Sequence, residues 1–230
     1  MEWIKQRLAW LTDQALCLFV SFLTGVRPKA AKSLGFTPER KVYYANHGSH
    51  GDFVLVWISL PKRWRACVRP VAGSDYWLTN RLKRFIIQRV FNALLIPRNS
   101  GNPQAITEQM TEALQNGDSL IIFPEGTRNT DDQVTLLSFK SGIYHLAREN
   151  PDVGFVPMWI DNINRVLPKG TFLPVPLLCD VNIGEVVYLQ KNEDKDAFLK
   201  RSRNALLALA PPEKQQQAAE NSEHDGEALL

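Results

Sequence analysis

The sequence predicts an α/β fold with a mostly parallel sheet flanked by helices, preceded by an N-terminal membrane-associated helical segment. Short apolar runs of strand length alternate with longer segments of helical periodicity from residue 41 onward, and this alternation is typical of βαβ units. Clusters of His, Asp, Glu and Arg follow predicted strands, at the edge where open parallel sheets place their sites. The longest apolar run falls short of the roughly 20 residues that a membrane-spanning helix requires.

Residues 1–32 predict an amphipathic and apolar helical segment that associates with a membrane. Apolar residues recur at mixed three- and four-residue spacings from Trp3 to Ala15, which gives a helix with one broad apolar face. Two tryptophans and flanking cations are typical of a helix that lies in a membrane interface. Two other interpretations stay open: a helix that covers the protein's own core, and a signal peptide in which Lys5 and Arg7 precede the apolar run.

The predicted strands are short runs of aliphatic, β-branched and aromatic residues bounded by turn residues. They lie at Val42–Ala45, Val68–Ala72, Leu94–Ile96, Leu120–Phe123, Phe155–Ile160 and Val181–Leu189. The fourth of these is apolar throughout, as expected of a strand that is buried on both faces.

The predicted helices occupy the longer segments between these strands. They lie at Phe53–Leu60, Leu78–Asn92, Pro103–Gln115, Phe139–Arg148 and Asp194–Leu209. Asn102 is suited to cap the third helix and Gly117 to end it. Apolar periodicity stops at Pro211, so residues 211–230 are predicted to be a disordered acidic tail.

The net charge of +3 is an average over segments of opposite sign. Residues 62–98 hold nine Lys and Arg against the single acid Asp75, whereas residues 211–230 hold one Lys and five acids. Aromatic residues interleave with the cations, a composition that suits anionic lipid or a nucleic acid. A solvated helix face with ordinary core aromatics is the third interpretation. Three cysteines without CxxC spacing argue against disulfides or a zinc site and favour a reducing, cytosol-facing location.

A histidine and a carboxylate follow the first predicted strand. The turn after Val42–Ala45 contains His47, His50 and Asp52. A general base is a neutral imidazole held in one tautomer by an acceptor on its other ring nitrogen, and His47 with Asp52 can form such a pair within one turn. His50 is an alternative base, and a metal site of all three residues is a weaker option because no further ligand lies near. A solvated polar loop is the remaining interpretation.

A turn suited to an anion follows the strand Leu120–Phe123. Its residues Gly126, Thr127 and Arg128 offer close backbone approach, a hydroxyl and a planar fork of donors, which together suit a phosphate oxygen. A second arginine, Arg98, ends the strand Leu94–Ile96. A plain β-turn closed by a surface arginine would look similar. If the two arginines bind a phosphate, the sequence predicts a general base next to a phosphate site.

These segments resemble the sequence blocks of the glycerolipid (lysophospholipid) acyltransferase family. Asn46-His47 with Asp52 matches its NHxxxxD block, and Phe123 to Arg128 matches its FPEGTR block. Asn92 to Arg98 is similar to the intervening block, although that block usually opens with Gly, and Val156-Pro157-Met158 is similar to the fourth. Order and spacing agree over about residues 40–160.

The resemblance implies a phospholipid-biosynthesis enzyme that moves a fatty acyl group from acyl-CoA or acyl carrier protein to the free hydroxyl of a lysophospholipid. The first candidate acceptor is 1-acyl-sn-glycerol 3-phosphate, lysophosphatidic acid, which would give phosphatidic acid. His47 would be the general base and Asp52 would orient it, without a covalent intermediate. The residues implied in substrate binding are Arg98, Glu125, Gly126, Thr127 and Arg128.

Residues 33–210 would then be the acyltransferase domain, at the cytoplasmic face of a membrane as a peripheral or monotopic protein. Its expected partners are membrane lipids, the lysophospholipid and the acyl donor, with no nucleic acid and no metal or permanent cofactor. The alternatives are an acyltransferase for another lysolipid head group, a hydrolytic variant in which water replaces the hydroxyl, and a basic module that binds nucleic acid or membrane. A serine hydrolase is excluded because the sequence has no GxSxG elbow.

Overall fold

The fold is an open sheet with helices on both faces. The computed structural model describes residues 2–30, 40–49, 51–97, 102–131, 133–161 and 179–227. In these ranges the strands are β1 (Arg27–Ala30), β2 (Lys41–Ala45), β3 (Val68–Gly73), β4 (Leu94–Ile96), β5 (Ser119–Ile122), β6 (Gly154–Ile160) and β7 (Asp180–Ile183). They form a seven-stranded sheet in the order β1-β7-β6-β2-β5-β3-β4. Only the β6–β7 pair is antiparallel, so the predicted α/β fold with a mostly parallel sheet is confirmed.

Helices cover both faces of this sheet. In the same ranges they are α1 (Glu2–Thr24), α2 (Asp52–Ser59), α3 (Ser74–Trp77), α4 (Arg81–Phe85), α5 (Pro103–Gln115), α6 (Gly142–Glu149), α7 (Lys195–Leu207) and α8 (Pro212–Glu227), with a 3₁₀ helix at Lys62–Cys67 and a π-helical turn at Ile86–Val90. The side chains of β2 alternate between two apolar layers. Tyr43 and Ala45 belong to the layer with α2 and the π-helical turn, whereas Val42 and Tyr44 belong to the layer with α5, α6 and α7. Burial on both faces makes β2 a fixed base for the loop that follows it.

Helix α5 has the bounds that the sequence predicts. Its N-terminus is capped by Asn102, whose side-chain oxygen accepts a hydrogen bond from the amide of Ala105 at 3.1 Å. Its end is followed by Gly117 at φ +93°, a left-handed conformation that glycine adopts without steric cost. Both signals were readable because they are local.

The cationic helix predicted for Leu78–Asn92 is present over residues 81–90, so it is shorter than predicted, and its second half is not a regular α-helix. The structure has α4 followed by the π-helical turn, and Asn80 caps the N-terminus of α4 with its side-chain oxygen, so a new helix starts there. The amide of Phe91 donates to the carbonyl of Ile86, five residues earlier. Ile87 and Phe91 are fully buried. Residues four apart share one helix face, and this face packs against the core.

Asn92 occupies the position where the resembling block usually has Gly. Its φ is +46°, in the left-handed region that Asn tolerates better than most residues other than Gly. Its carbonyl accepts a hydrogen bond from Nε of Arg69 at 2.9 Å, and the Arg69 guanidinium also pairs with Asp118 at 3.2 Å. The departure from Gly therefore keeps a positive-φ turn at the start of this block.

The predicted strand Val181–Leu189 is correct only in its first part. After β7 the amide of Gly184 donates to the carbonyl of Pro157 at 2.9 Å, and Val187 forms an isolated bridge with Phe155. A Cβ at Gly184 would lie 2.9 Å from Cγ of Pro157. This close backbone approach bends the chain and ends the strand.

The N-terminal segment divides between a helix and the sheet. Helix α1 fits the predicted helical segment, but Arg27–Ala30, predicted to belong to that segment, forms the edge strand β1 and pairs with β7. Lys29 bonds to Asp180 at 2.8 Å. The basic residues here follow the sheet rather than the helix. Within the part of the chain that the structure describes, no helix has the length and apolarity needed to cross a membrane.

The C-terminal segment, predicted to be disordered, contains helix α8. Pro212 stands at its start, where proline is favoured, and the following Gln, Ala and Glu are good helix formers. The helix is attached by polar contacts: Oγ1 of Thr135 donates to the carbonyl of Lys214 at 3.2 Å, and Nζ of Lys214 donates to Asp161 at 3.1 Å. Polar docking of this kind leaves no apolar periodicity in the sequence, which is why the sequence did not predict this helix.

Candidate active site

The site forms where β2, β5 and β6 end side by side. Asn46 follows β2 directly, and its side-chain amide pairs with the backbone of Ile160 at the end of β6: Ile160 N donates to Oδ1 at 2.7 Å, and Nδ2 donates to Ile160 O at 3.0 Å. This two-bond contact fixes the first residue of the turn that contains His47. The sequence showed Asn46 only as the neighbour of a histidine and gave it no role.

His47 and Asp52 form the pair that the sequence predicts. Nδ1 of His47 lies 2.8 Å from Oδ2 of Asp52, and the two side chains are 14% and 1% exposed. The same oxygen accepts the amides of Gly48 at 2.8 Å and Ser49 at 2.9 Å. Because Oδ2 acts as an acceptor toward two N–H groups, the imidazole supplies the hydrogen of the third bond from Nδ1. Nε2 is then the free basic nitrogen.

Glu125 supports this pair from beneath. Its side chain is 1% exposed, Oε1 accepts the amide of His47 at 2.7 Å, and Oε2 accepts the amide of Leu137 at 2.9 Å. Burial raises the pKa of this carboxyl, and the two amide hydrogen bonds act in the opposite direction. Both oxygens are therefore engaged by backbone groups that shape the site.

The turn around Gly126 brings the segment after β5 close to the histidine. Gly126 has φ +71° and donates its amide to the carbonyl of Phe123. The ring of Phe123 stacks on that of His47, with centroids 4.3 Å apart. A Cβ at Gly126 would lie 3.1 Å from Cγ of Lys140. Glycine thus meets a steric and a conformational requirement here.

The side chains of Thr127 and Arg128 in this turn face solvent. Thr127 and Arg128 are exposed, and within the described ranges the Arg128 guanidinium makes no ion pair with a carboxylate. Arg98 and His50 lie outside the described residues. Of the predicted set, the structure brings His47 into contact with Asp52 and Glu125. Gly126, Thr127 and Arg128 follow Glu125 in the turn after β5.

A polar cleft lies beside His47. Its lining comes from the turn after β2, the loop after β5, the end of β6 and helix α8, and consists of Asn46, His47, Gly48, Glu125, Asn129, Asp131, Val134, Thr135, Trp159, Lys214 and Gln217. Lys214 and Gln217 were missed because the sequence assigned them to a tail. Their proximity depends on tertiary contacts alone, and no local pattern reports it.

Not all cations of residues 62–98 are surface charges. Arg65 donates to the carbonyls of Ile58 and Leu60 at the C-terminal end of α2. Arg69 is engaged by the Asn92 carbonyl and Asp118, so both arginines stabilise the fold. Lys83 lies 3.7 Å from the centroid of the Tyr76 ring. Among the described residues of this segment, the exposed cations are Lys62, Arg63, Arg81, Arg84 and Arg89.

The fold and this site together define an α/β protein with a hydrogen-bonded histidine–aspartate pair at the carboxyl edge of its sheet. The family model described as Acyltransferase matches residues 32–161. The chain therefore belongs to the Acyltransferase family, and the resemblance inferred from the sequence blocks is confirmed.

Individual relatives agree with this assignment. The chain is 32% identical over 188 residues to a 1-acyl-sn-glycerol-3-phosphate acyltransferase of Limnanthes douglasii, with 76% of this chain and 60% of the relative covered. It is 30% identical over 137 residues to a lyso-ornithine lipid O-acyltransferase of Pseudomonas aeruginosa, covering 57% of this chain and 45% of that protein. This chain thus spans about 60% of the length of the Limnanthes relative.

A solved structure shares the fold. The 1-acyl-sn-glycerophosphate (LPA) acyltransferase PlsC from Thermotoga maritima superposes with a TM-score of 0.64 at 19% identity, covering 89% of this chain and 78% of that one. At this identity the similarity establishes a common fold.

The environment of Glu125 leads to a prediction about stability and pH. Because burial raises the pKa of Glu125 above its usual 4.5, the folded state binds this proton more tightly than the unfolded state. The contribution of Glu125 to stability is therefore full below pH 4.5 and declines as the pH rises through the folded-state pKa. We expect the free energy of unfolding of the wild type, relative to Glu125→Gln, to fall in urea titrations as the pH rises from 4.5 through the folded-state pKa. A difference that rises over this range would contradict the assignment.

Proposed function

We propose that this protein is an O-acyltransferase that moves a fatty acyl group from acyl-CoA or acyl carrier protein to the free hydroxyl of 1-acyl-sn-glycerol 3-phosphate, giving phosphatidic acid. The observation that carries the proposal is the 2.8 Å contact between His47 and Asp52 at the edge of the anion-suited turn. Membership of the Acyltransferase family and the names of the plant relatives support the acceptor.

The reaction needs one base and no covalent enzyme intermediate. Nε2 of His47 takes the proton of the acceptor hydroxyl as its oxygen attacks the thioester carbonyl. The tetrahedral intermediate collapses, the carbon–sulfur bond breaks, and the departing thiolate takes the proton from His47. The products are an ester and a free thiol, and Asp52 stabilises the transient imidazolium. Positioned base catalysis of this kind contributes about 10²–10⁴-fold.

In this proposal the acceptor phosphate is bound by Arg128 and Arg98. Arg128 is exposed and follows Glu125, whose carboxylate accepts the amide of His47, by three residues. Arg98 supplies the second guanidinium. A guanidinium can bind phosphate through two parallel hydrogen bonds, which places the lipid hydroxyl with a fixed orientation toward the base. Gly126 and Thr127 shape the turn that presents Arg128.

Helix α1 provides the contact with the membrane that contains the acceptor. Its outward apolar side chains are 53–72% exposed, and they are Trp3, Leu8, Trp10, Leu11, Leu18 and Phe19. The opposite side of the helix holds Leu16 and the buried Cys17 against the core. Leu82 of α4, next to exposed cations, is 68% exposed. An apolar face beside cations suits a peripheral protein on an anionic cytoplasmic leaflet.

This membrane contact can be tested with two substitutions. We expect Leu18→Asp combined with Phe19→Asp to weaken binding to vesicles with anionic lipid at least tenfold in co-sedimentation, because each buried apolar side chain contributes about 1.5–3 kcal/mol. The control is Tyr188→Asp, which changes an exposed aromatic residue. Tyr188 lies next to Gly154, at the start of β6. Equal binding of both variants would contradict the role of α1.

The acceptor is tested by a panel of lysolipids with the purified protein. We expect phosphatidic acid to form from 1-acyl-sn-glycerol 3-phosphate with acyl-CoA or acyl carrier protein, as measured by mass spectrometry. The panel includes glycerol 3-phosphate, a lysophospholipid with a larger head group and a lyso-ornithine lipid, because one relative carries the last of these in its name. Faster acylation of the lyso-ornithine lipid would contradict the proposed phosphate acceptor and identify an aminolipid as the acceptor.

A further inference from the structure

Arg203 of helix α7 is a half-buried cation next to the candidate active site. Its Nη2 donates to the carbonyl of Leu136 at 2.7 Å. Helix α7 is itself attached to the central strand, because Oη of Tyr44 in β2 donates to the carbonyl of Ser202 at 3.0 Å. The guanidinium therefore extends from a fixed helix to the loop after the FPEGTR turn. It lies outside the residues that the family model matches.

Three consecutive contacts connect Arg203 to His47. Leu136 accepts from Arg203, the amide of the next residue, Leu137, donates to Oε2 of Glu125, and Oε1 of Glu125 accepts the amide of His47. The other side of the His47 peptide is also held by this loop, since the amide of Asn129 donates to the carbonyl of His47 at 2.7 Å. The main chain of His47 is thus fixed by the segment that Arg203 anchors.

Charge gives Arg203 a second reason to be there. Burial lowers the pKa of this guanidinium, and the negative charge of Glu125 opposes that shift. A buried carboxylate is costly unless a nearby cation or hydrogen bonds compensate it. Within the described residues the buried Nε of Arg203 has no hydrogen-bond partner, so the side chain acts through Nη2 and its charge.

We propose that Arg203 is a positioning residue for the general base: it fixes the backbone at Leu136 and Leu137 and, through Glu125, the main chain of His47. The inference rests on the proposed function, in which His47 takes the proton of the acceptor. If His47 is displaced by a fraction of an ångström, the protein still binds both substrates, but the proton is transferred less efficiently. Loss of Arg203 therefore acts on kcat and leaves KM for the acceptor and the donor unchanged.

The test compares three variants of the full chain. Arg203→Met removes the charge and the donor but keeps an unbranched stem, whereas Arg203→Lys keeps one donor and the charge. The matched control is Arg201→Met on the same helix, because Arg201 pairs with Glu193 and with the carbonyl of Tyr188, away from the site. Two readouts are measured: kcat and KM for acyl transfer, and hydrogen exchange of peptides that contain the amides of His47 and Leu137.

For Arg203→Met we expect kcat to fall about tenfold or more with KM within about twofold, and both amides to exchange faster. Arg203→Lys recovers most of kcat, and Arg201→Met resembles the wild type. Unchanged kcat and unchanged exchange in Arg203→Met would overturn the proposal, as would faster exchange spread evenly over the whole chain. If the wild type transfers no acyl group, the proposed function fails, and the exchange of the two amides still decides whether Arg203 holds His47.

Discussion

His47→Ala is expected to reduce kcat/KM for acyl transfer by about 10²–10⁴-fold, the contribution of a positioned general base. Without Nε2 no group takes the proton of the lipid hydroxyl, while the arginines that bind the phosphate remain. The fold should persist, because the backbone bonds of His47 to Glu125 and Asn129 do not involve its side chain. We expect KM for the acceptor to change little.

The matched control for this substitution is His145→Ala. His145 lies on α6 and contacts the Tyr144 ring, so its removal deletes an imidazole without touching the base. Steady-state kinetics and thermal melting of both variants make the comparison. Near-normal transfer by His47→Ala would remove the histidine from the mechanism, and an equal loss in His145→Ala would attribute the effect to folding.

Asp52 gives the second large effect, and its two variants are expected to differ. Oδ2 accepts all three hydrogen bonds, from His47, Gly48 and Ser49, whereas the buried Oδ1 has no partner within the described ranges. Asp52→Asn can place its amide oxygen at the position of Oδ2 and retain the tautomer of His47. It loses the charge that stabilises the imidazolium. A charge-assisted hydrogen bond is worth about 1.5–3 kcal/mol, so kcat should fall about 10- to 100-fold.

Asp52→Ala removes the acceptor altogether. The imidazole then loses its orientation, and the amides of Gly48 and Ser49 lose their partner at a cost of up to about 1–3 kcal/mol for each amide that stays buried. We expect a greater loss of kcat than in Asp52→Asn, together with a lower melting temperature. The control is Asp118→Asn, which neutralises an ion-paired carboxylate on the amino-end side of β5. Equal kinetics of Asp52→Asn and the wild type would contradict the role of the charge.

Local signals explain what the sequence could predict. The sequence predicted the strands of the central sheet, the capped helix α5 and the His47–Asp52 pair. Each of these features depends on residues that are close in the chain. His47 and Asp52 lie within one turn, and Asp52 is the first residue of α2, so their contact needs no long-range information. The helix start at Asn80, which caps α4, is also a local feature. The sequence analysis missed it because cations and apolar residues continue through this position.

Long-range polar contacts explain what the sequence could not predict. The pairing of Asn46 with Ile160, the bond from Arg203 to Leu136 and the docking of Lys214 on Asp161 each join residues far apart in the chain. A polar side chain that will be buried by such a contact has the same sequence signature as one in solvent. Glu125 shows this best: the sequence placed it among substrate-binding residues, and the structure engages both of its oxygens with backbone amides.

Direct, base-assisted transfer of the acyl group to a lipid hydroxyl is tested by measuring thiol release from the acyl donor with and without acceptor. We expect the purified protein to release thiol only when 1-acyl-sn-glycerol 3-phosphate is present, in equal amounts with phosphatidic acid, and no acylated protein to accumulate with the donor alone. Release of thiol and free fatty acid without acceptor would identify a hydrolase, and a stable acyl-protein would identify a covalent mechanism; either result would rule out direct transfer.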